Sequence, residues 1–286
     1  MDQRPDMAGR VCVITGATRG IGRATADGLA RLGATVVLIA RRREDGERAS
    51  REIADSSPVP PTVVTADLAS LASIREAAGE LRRFYPHLHV LVNNAALITH
   101  RRQRTGDGLE MQFAVNHLAY FLLTSLLLDQ LRAGAPSRII NVSSAAHSGA
   151  QLDFDDLQGE RRYDGTRAYS QTKLANILFT YELARRLQGT GVTANCLHPG
   201  VIGTRLLSDY MGVPIAGRAL ARTFGASAEK GAETSIYLAS SPDMETVSGK
   251  YFEAKRERHS SRESYDEAAA RRLWEVSERL TGLSSS

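Results

Sequence analysis

Cysteine and tryptophan are scarce: the 286 residues hold two of the first and one of the second. Two cysteines make no disulfide framework. Cys12 and Cys196 each sit inside an apolar stretch, so both read as small core side chains rather than a bridge or a metal pair. Apolar runs of membrane-spanning length are missing, as is a basic-then-apolar leader. The expectation is a soluble, cytoplasmic chain with no membrane anchor. A basic stripe is missing too. Net charge is +4, but the arginines are scattered, the compact run is Arg41-Arg42-Arg43, and Trp274 lies far from it. Nucleic-acid binding wants clustered cations with aromatic partners, so no nucleic-acid partner is expected. His87 and His89 have H-x-H spacing without further ligands nearby, and Asp153, Asp155 and Asp156 fit no calcium loop, so no metal is expected. The G-x-S-x-G signature of a serine nucleophile does not occur. No Pro/Gly/Ser-rich linker divides the chain, which at this length favours one large α/β domain.

Short apolar runs alternate with helical periods along the chain. Val11 to Thr15 has the continuous apolar character of a strand buried on both faces. It runs into Gly16-Ala17-Thr18-Arg19-Gly20-Ile21-Gly22 and then a helical period through Ala24, Leu29 and Leu32. In that context glycines let the backbone approach a pyrophosphate, and the helix N-terminus offers free N–H groups. Gly16, Thr18, Arg19, Gly20 and Ile21 are therefore candidate cofactor contacts. The spacing is G-x-x-x-G-x-G, not the common G-x-G-x-x-G, and glycine turns of this kind also serve packing.

A second strand, Thr35 to Ile39, ends in Ala40-Arg41-Arg42. An NAD site wants a carboxylate here for the ribose 2′-hydroxyl; planar guanidinium forks suit a 2′-phosphate instead. With Arg19 closing on the same group, NADP(H) is expected over NAD(H). The plainer alternative is that Arg41 and Arg42 solvate a helix start. A third strand, Pro61 to Thr65, leads to Asp67 and Leu68, where Asp67 either accepts from the adenine amino group or caps the helix starting near Ser70. A fourth, His89 to Val92, stops at Asn93-Asn94-Ala95-Ala96, whose small residues leave room for a cofactor and whose amides tie strand ends; Asn93 and Ala95 join the candidate contacts.

Leu109 to Leu131 reads as one long apolar helix, interrupted by Asn116 and His117. Asn116 either bonds a neighbouring helix or holds a water near Lys173. The fifth strand, Ser137 to Val142, ends in Ser143-Ser144, and the polar stretch up to residue 168 reads as a loop flanking a substrate mouth. Tyr169-Ser170-Gln171-Thr172-Lys173 then opens a long helical period. Residues four apart share a helix face, so the phenol of Tyr169 and the ammonium of Lys173 point the same way. A free phenol, near pKa ~10, is a poor proton donor and acceptor at neutral pH, and a neighbouring cation favours its ionised form. A sixth strand, Gly191 to Leu197, leads into His198-Pro199-Gly200-Val201-Ile202-Gly203-Thr204, with Pro199, Gly200, Val201 and Thr204 as further candidate contacts and Thr204 placed to bond a carboxamide. Residues 204–225, broken by Gly212, Pro214 and Gly217, read as a mobile lid. A helix, Ala228 to Leu238, and a last strand, Ser248 to Phe252, follow. Tyr265 to Leu280 reads as a closing amphipathic helix. The expected layout is a loose segment 1–8, one domain over 9–253 and a helical extension over 254–286.

Taken together, Thr15-Gly16-x-x-x-Gly20-Ile21-Gly22, Asn93-Asn94-Ala95, Asn116, Ser144, Tyr169-x-x-x-Lys173 and Pro199-Gly200 resemble the short-chain dehydrogenase/reductase family. Val115-Asn116-His117-Leu118, Lys173 to Phe179 and His198-Pro199-Gly200 are similar to its retinol-dehydrogenase-like branch. The resemblance implies a doubly wound, Rossmann-type seven-stranded parallel sheet with helices on both faces. It implies an NADP(H)-dependent exchange of carbonyl and alcohol on a moderately apolar small molecule. Tyr169 would be the general acid/base, Ser144 would hold the carbonyl oxygen, Lys173 would bond the nicotinamide ribose, and Asn116 would fix a water. Ser144 is preferred to Ser143 because the family's serine is usually the second of such a pair. A homodimer or homotetramer through the helices carrying Asn116 and Tyr169 is also implied. Two departures stand out: Ala96 replaces a frequent glycine, and the anchor of the branch's membrane-bound members has no counterpart here. The competing reading is a non-catalytic NADP(H)-binding redox sensor acting through a protein partner.

Overall fold

The computed structural model describes residues 6–55, 57–200 and 227–283. Val201, Thr204 and the proposed lid 204–225 lie outside the described residues.

The strands are β1 Val11–Thr15, β2 Thr35–Ala40, β3 Thr62–Thr65, β4 Val90–Asn93, β5 Ser137–Val142, β6 Val192–His198, β7 Tyr251–Glu253 and β8 Arg256–Arg258. They form one sheet in the order β3-β2-β1-β4-β5-β6-β7-β8. The first seven are parallel, as expected. To these seven β8 adds an edge strand, which pairs antiparallel with β7. The hairpin turns on Ala254 and Lys255, with φ of 49° and 62°. Such primed turns usually announce themselves through Asn-Gly or Asp-Gly, and this one does not. All three residues of β8 are charged and exposed, which blunts an otherwise open sheet edge.

The helices are α1 Gly20–Arg31, α2 Arg43–Ala54, α3 Leu71–Phe84, α4 Met111–Phe113, α5 Ala119–Leu126, α6 Leu128–Ala133, α7 Gly165–Arg186, α8 Ala228–Ser240 and α9 Glu267–Thr281. One face of the sheet packs Cys12, Ile14, Val36 and Leu38 against Ala26 and Leu29 of α1 and Leu238 of α8. The other packs Val13, Val37, Leu91 and Ile139 against Ile74 and Leu81 of α3, Phe121 of α5 and Phe179 of α7. Each fully buried leucine or isoleucine contributes about 1.5–3 kcal/mol. This two-sided burial is what made the strands read as unbroken apolar runs. Both cysteines are free and buried, and burial pushes the Cys12 thiol up to about 12.

The single helix expected over Leu109 to Leu131 is instead broken. A π-turn, Ala114–Leu118, joins α4 to α5, with the Ala119 N–H closing on the Ala114 carbonyl, and Leu127 leaves helical geometry before α6. The opening segment is seated from Met7 onward: Met7 is buried, and its N–H donates to the Leu32 carbonyl at 2.8 Å. α9 lies across α7 and the π-turn. Trp274 meets the Phe121 ring edge-on at 4.9 Å, and the Arg186 guanidinium covers Trp274 at 4.1 Å. Part of the helix surface through which the resemblance implies subunit pairing is thus occupied from within the chain. Among the described residues no helix is long and apolar enough to cross a membrane.

Candidate active site

The parallel strands bring six chain segments to one edge of the sheet. Gly16 follows β1, Arg41 follows β2, Asp67 lies just beyond β3, Ala95 beyond β4, Ser144 beyond β5, and Pro199 and Gly200 follow β6. The strand order reverses between β1 and β4, and a crevice at the carboxyl ends of such a switch point is where doubly wound sheets hold ligands.

α7 supplies the centre. Its N-terminus is capped by Asp164, whose carboxylate accepts from the Arg167 N–H at 2.7 Å. The first turn abuts the loop after β4 so closely that a Cβ at Gly165 would lie 2.1 Å from the Thr99 carbonyl oxygen. Gln112 fixes this approach, donating from Nε2 to the Gly165 carbonyl at 2.9 Å and to the Tyr163 hydroxyl at 2.8 Å. One turn on, Tyr169 and Lys173 are 6% and 1% exposed. Lys173 Nζ lies 5.4 Å from the Tyr169 ring centre and 5.9 Å from that of Tyr120. It donates to the Val142 carbonyl at 3.1 Å, its only acceptor among the described residues. Burial pulls its pKa from 10.5 down to about 7. Tyr120, which the sequence reading passed over, lies on the other side of Lys173: its hydroxyl donates to the Ala95 carbonyl at 3.0 Å, and burial with the neighbouring Tyr169 pushes its own pKa well up. Its one sequence signal is its position four residues after Asn116.

The two serines are sorted by their bonds. Ser143 is buried and donates its hydroxyl to the Lys173 carbonyl at 2.8 Å, pinning α7 to β5. Ser144 is half-buried and opens a 3-10 turn, Ala145–His147, with Oγ accepting from the Ala146 N–H at 3.2 Å. Its hydroxyl proton remains available to a ligand. The turn is gripped by two histidines: His147 Nδ1 lies 2.6 Å from the Ser144 carbonyl, and the Ala145 N–H donates to His198 Nδ1 at 3.2 Å. Asn116 is fully buried in the π-turn. Its Oδ1 accepts from the Leu97 N–H at 2.9 Å, and Nδ2 donates to the Leu97 carbonyl at 2.9 Å and the Thr172 hydroxyl at 3.2 Å. These bonds tie the loop after β4 to α7.

On the cofactor side, Asn93 ties neighbouring elements together. It is 0% exposed, and its amide donates to Thr124 Oγ1 and Asn141 Oδ1, both at 2.9 Å, bridging β4 to β5 and α5. Asn94, not among the candidate contacts, does the locking at the glycine turn: Nδ2 donates to the Thr15 carbonyl at 2.9 Å, and a Cβ at Gly22 would stand 2.4 Å from that nitrogen. α1 begins at Gly20 with no side-chain cap and no carboxylate in its first turn, so no side chain among the described residues competes for its free N–H groups. Arg19 and Arg41 are exposed and carry no ion pair among the described residues. Arg42 follows the plainer alternative, pairing with Asp45 of α2 at 2.6 Å. The helix near Ser70 is capped by Ser70 itself, accepting from the Ser73 N–H, while Asp67 makes a turn with the Ala69 N–H at 3.0 Å. Thr18, Gly20, Ile21, Leu68 and Ala95 are partly accessible at the crevice, as are Pro199 and Gly200. Among the described residues no cluster of histidine, cysteine and carboxylate side chains could hold a metal ion.

The short chain dehydrogenase family profile matches residues 10–211. The chain belongs to the short-chain dehydrogenase family. Human retinol dehydrogenase 14 is 45% identical over 97% of this chain and 88% of its own length. An uncharacterized protein from Mycobacterium paratuberculosis has a TM-score of 0.80 at 35% identity, covering 97% of this chain and 95% of its own. An NADP active-site complex of RhlG from Pseudomonas aeruginosa has a TM-score of 0.70 at 26% identity, covering 87% of this chain and 97% of its own. Members of the family are oxidoreductases acting on alcohol and carbonyl groups, and the strand-end crevice of this dehydrogenase fits a nicotinamide dinucleotide: among the described residues the α1 N-terminus has no side-chain cap, Arg19 and Arg41 have no ion pair, and the buried Lys173 ammonium has one acceptor for its three donors.

Proposed function

We propose that this dehydrogenase is NADP(H)-dependent and interconverts a carbonyl and an alcohol on a moderately apolar small molecule, with Tyr169 as the general acid/base. The buried Lys173 ammonium, on the Tyr169 face of α7 and joined to β5 through the Val142 carbonyl, is the observation that carries this reading. The bound cofactor supplies or accepts a hydride at the substrate carbon. Tyr169 gives its phenolic proton to the carbonyl oxygen in reduction and takes it back in oxidation. Lys173 stabilises the phenolate left behind, and Ser144 Oγ donates to the oxygen on which charge develops. Burial alone leaves the Lys173 ammonium near its titration point, and ribose hydroxyls would supply acceptors for its other two donors. The α1 N-terminus would hold the pyrophosphate, and Arg41 with Arg19 would hold a 2′-phosphate. The names of the retinol dehydrogenases make a retinoid one candidate among apolar substrates.

The test is cofactor oxidation with a panel that includes all-trans-retinal, nonanal and a cyclic ketone, each with NADPH and with NADH. Turnover of at least one carbonyl with a lower KM for NADPH is the expected result. A lower KM for NADH would remove the phosphate reading, and a folded, NADPH-binding protein inert across the panel would remove the enzymatic one.

A further inference from the structure

The family profile ends at residue 211, yet the chain beyond it reaches back to the turn that carries Ser144. His147, the last residue of that turn, is buried. A carbonyl can only accept, so Nδ1 at 2.6 Å from the Ser144 carbonyl carries the proton and donates it. The other nitrogen, Nε2, accepts from the Ser261 N–H at 3.1 Å. Both ring nitrogens are thus committed, one as donor and one as acceptor, and the imidazole is a rigid neutral link between two backbone groups 117 positions apart. The Tyr251 ring, 5.1 Å away, limits its tilt. Ser261 is itself held: the Ser264 N–H donates to its carbonyl at 3.1 Å, and its neighbour Ser260 shares a 2.7 Å bond with the Tyr181 hydroxyl of α7.

Deepening the proposed role of Ser144, on which it rests, we propose that His147 is a positioning residue through which the carboxyl-terminal segment at Ser261 sets the orientation of Ser144. Ser144 is the second residue past β5, just after the last bond to β6, from the Ser143 N–H to the Leu197 carbonyl. Its N–H side is steadied by Ser143, whose own N–H bonds the Leu197 carbonyl at 2.8 Å; the peptide on its carbonyl side is held by the Ala145 N–H on His198 and by the His147 N–H, which donates to the Ser144 carbonyl at 3.2 Å. Its carbonyl is steadied by His147. A small rotation of this peptide would swing Oγ off the oxygen it must meet, and misplacement of about 1 Å can cost on the order of a hundredfold in rate.

Three variants separate positioning from general stability, with kcat and KM read from NADPH oxidation using nonanal or all-trans-retinal, whichever the panel shows to be the better substrate. His147→Leu removes both bonds and should lower kcat by about 10- to 100-fold, with the KM for NADPH within about twofold. His147→Asn can place an amide nitrogen where Nδ1 stood and should recover most of that loss. Ser261→Pro suits the φ of −64° at that position and deletes the N–H that His147 accepts, so kcat should fall while the Ser144 hydroxyl and His147 both remain. The inference is overturned if kcat in His147→Leu stays within twofold of the parent, or if His147→Asn is no better than His147→Leu. Should His147→Leu not fold, Ser261→Pro decides alone, and a kcat within twofold overturns the inference. Ser144→Ala is measured beside them. Normal turnover there removes the reading of Ser144 itself, whereas collapse there with unchanged His147 and Ser261 variants removes only the link.

Discussion

Along the β3-β2-β1 half of the crevice, Arg19, Arg41 and Asp67 stand in solvent, and the arginines have no ion-pair partner among the described residues. Along the β4-β5-β6 half, Asn93, Asn116, Tyr169 and Lys173 are buried, and Asn93, Asn116 and Lys173 are bonded into the chain. The difference suits the task proposed for each half. A dinucleotide phosphate brings its own charge and can order exposed guanidiniums on arrival. A proton donor has to be in place beforehand, because reorganising dipoles during the reaction costs rate. Exposure on one side and enclosure on the other therefore belong to one design.

The largest expected effect lies in the enclosed half. Lys173→Met should cut turnover about a thousandfold, within the range of general acid–base contributions, measured as kcat with saturating NADPH. The same substitution should change stability in the opposite sense. The folded pKa of Lys173 is lowered from 10.5 to about 7, so between those values the unfolded chain binds the extra proton. Stability of the parent should therefore climb from pH 7 to 10.5, and the variant should lose that part of the climb in urea titrations. An equal slope in both would place Lys173 in a wetter site than described.

His117 comes next. It is fully buried beside the π-turn, 2.9 Å from the Ser277 hydroxyl of α9, and burial pulls its pKa from 6.5 to about 4. The unfolded chain takes up this proton first as pH falls, so the parent should lose about 3 kcal/mol between pH 6.5 and 4 from this group. His117→Leu should show a shallower loss over that window.

The exposed half yields smaller numbers. Arg41→Ala should raise the KM for NADPH about tenfold and leave that for NADH unchanged, as expected for one charge-assisted phosphate contact. Arg42→Ala should move either value less than about threefold, since its fork is already on Asp45 and an exposed pair of that kind contributes about 0–1 kcal/mol. If Arg42 proves the larger, the assignment of the two arginines is reversed.

The strands were legible because burial on both faces favours apolar residues at their centres, as at Cys12 to Ile14 and at Ile139 and Ile140. Tyr169 and Lys173 were legible because a helix places i and i+4 together, and the glycine turn because its strand and helix flank it. The rest depends on contacts between segments that sequence order hides. A π-turn leaves the apolar period almost intact, so Ala114–Leu118 read as plain helix. The Asn94 bond to Thr15 and the His147 bond to Ser261 join residues 79 and 114 positions apart. β8 is three charged residues, the reverse of a strand signature, and is recognisable only once β7 offers it an edge.

The most direct measurement is single-turnover hydride transfer from NADPH in Tyr169→Phe, with NADPH affinity titrated on the same preparation. The account predicts affinity within about twofold of the parent and transfer slower by a thousandfold or more. Transfer within tenfold of the parent, with the cofactor still bound, would contradict it.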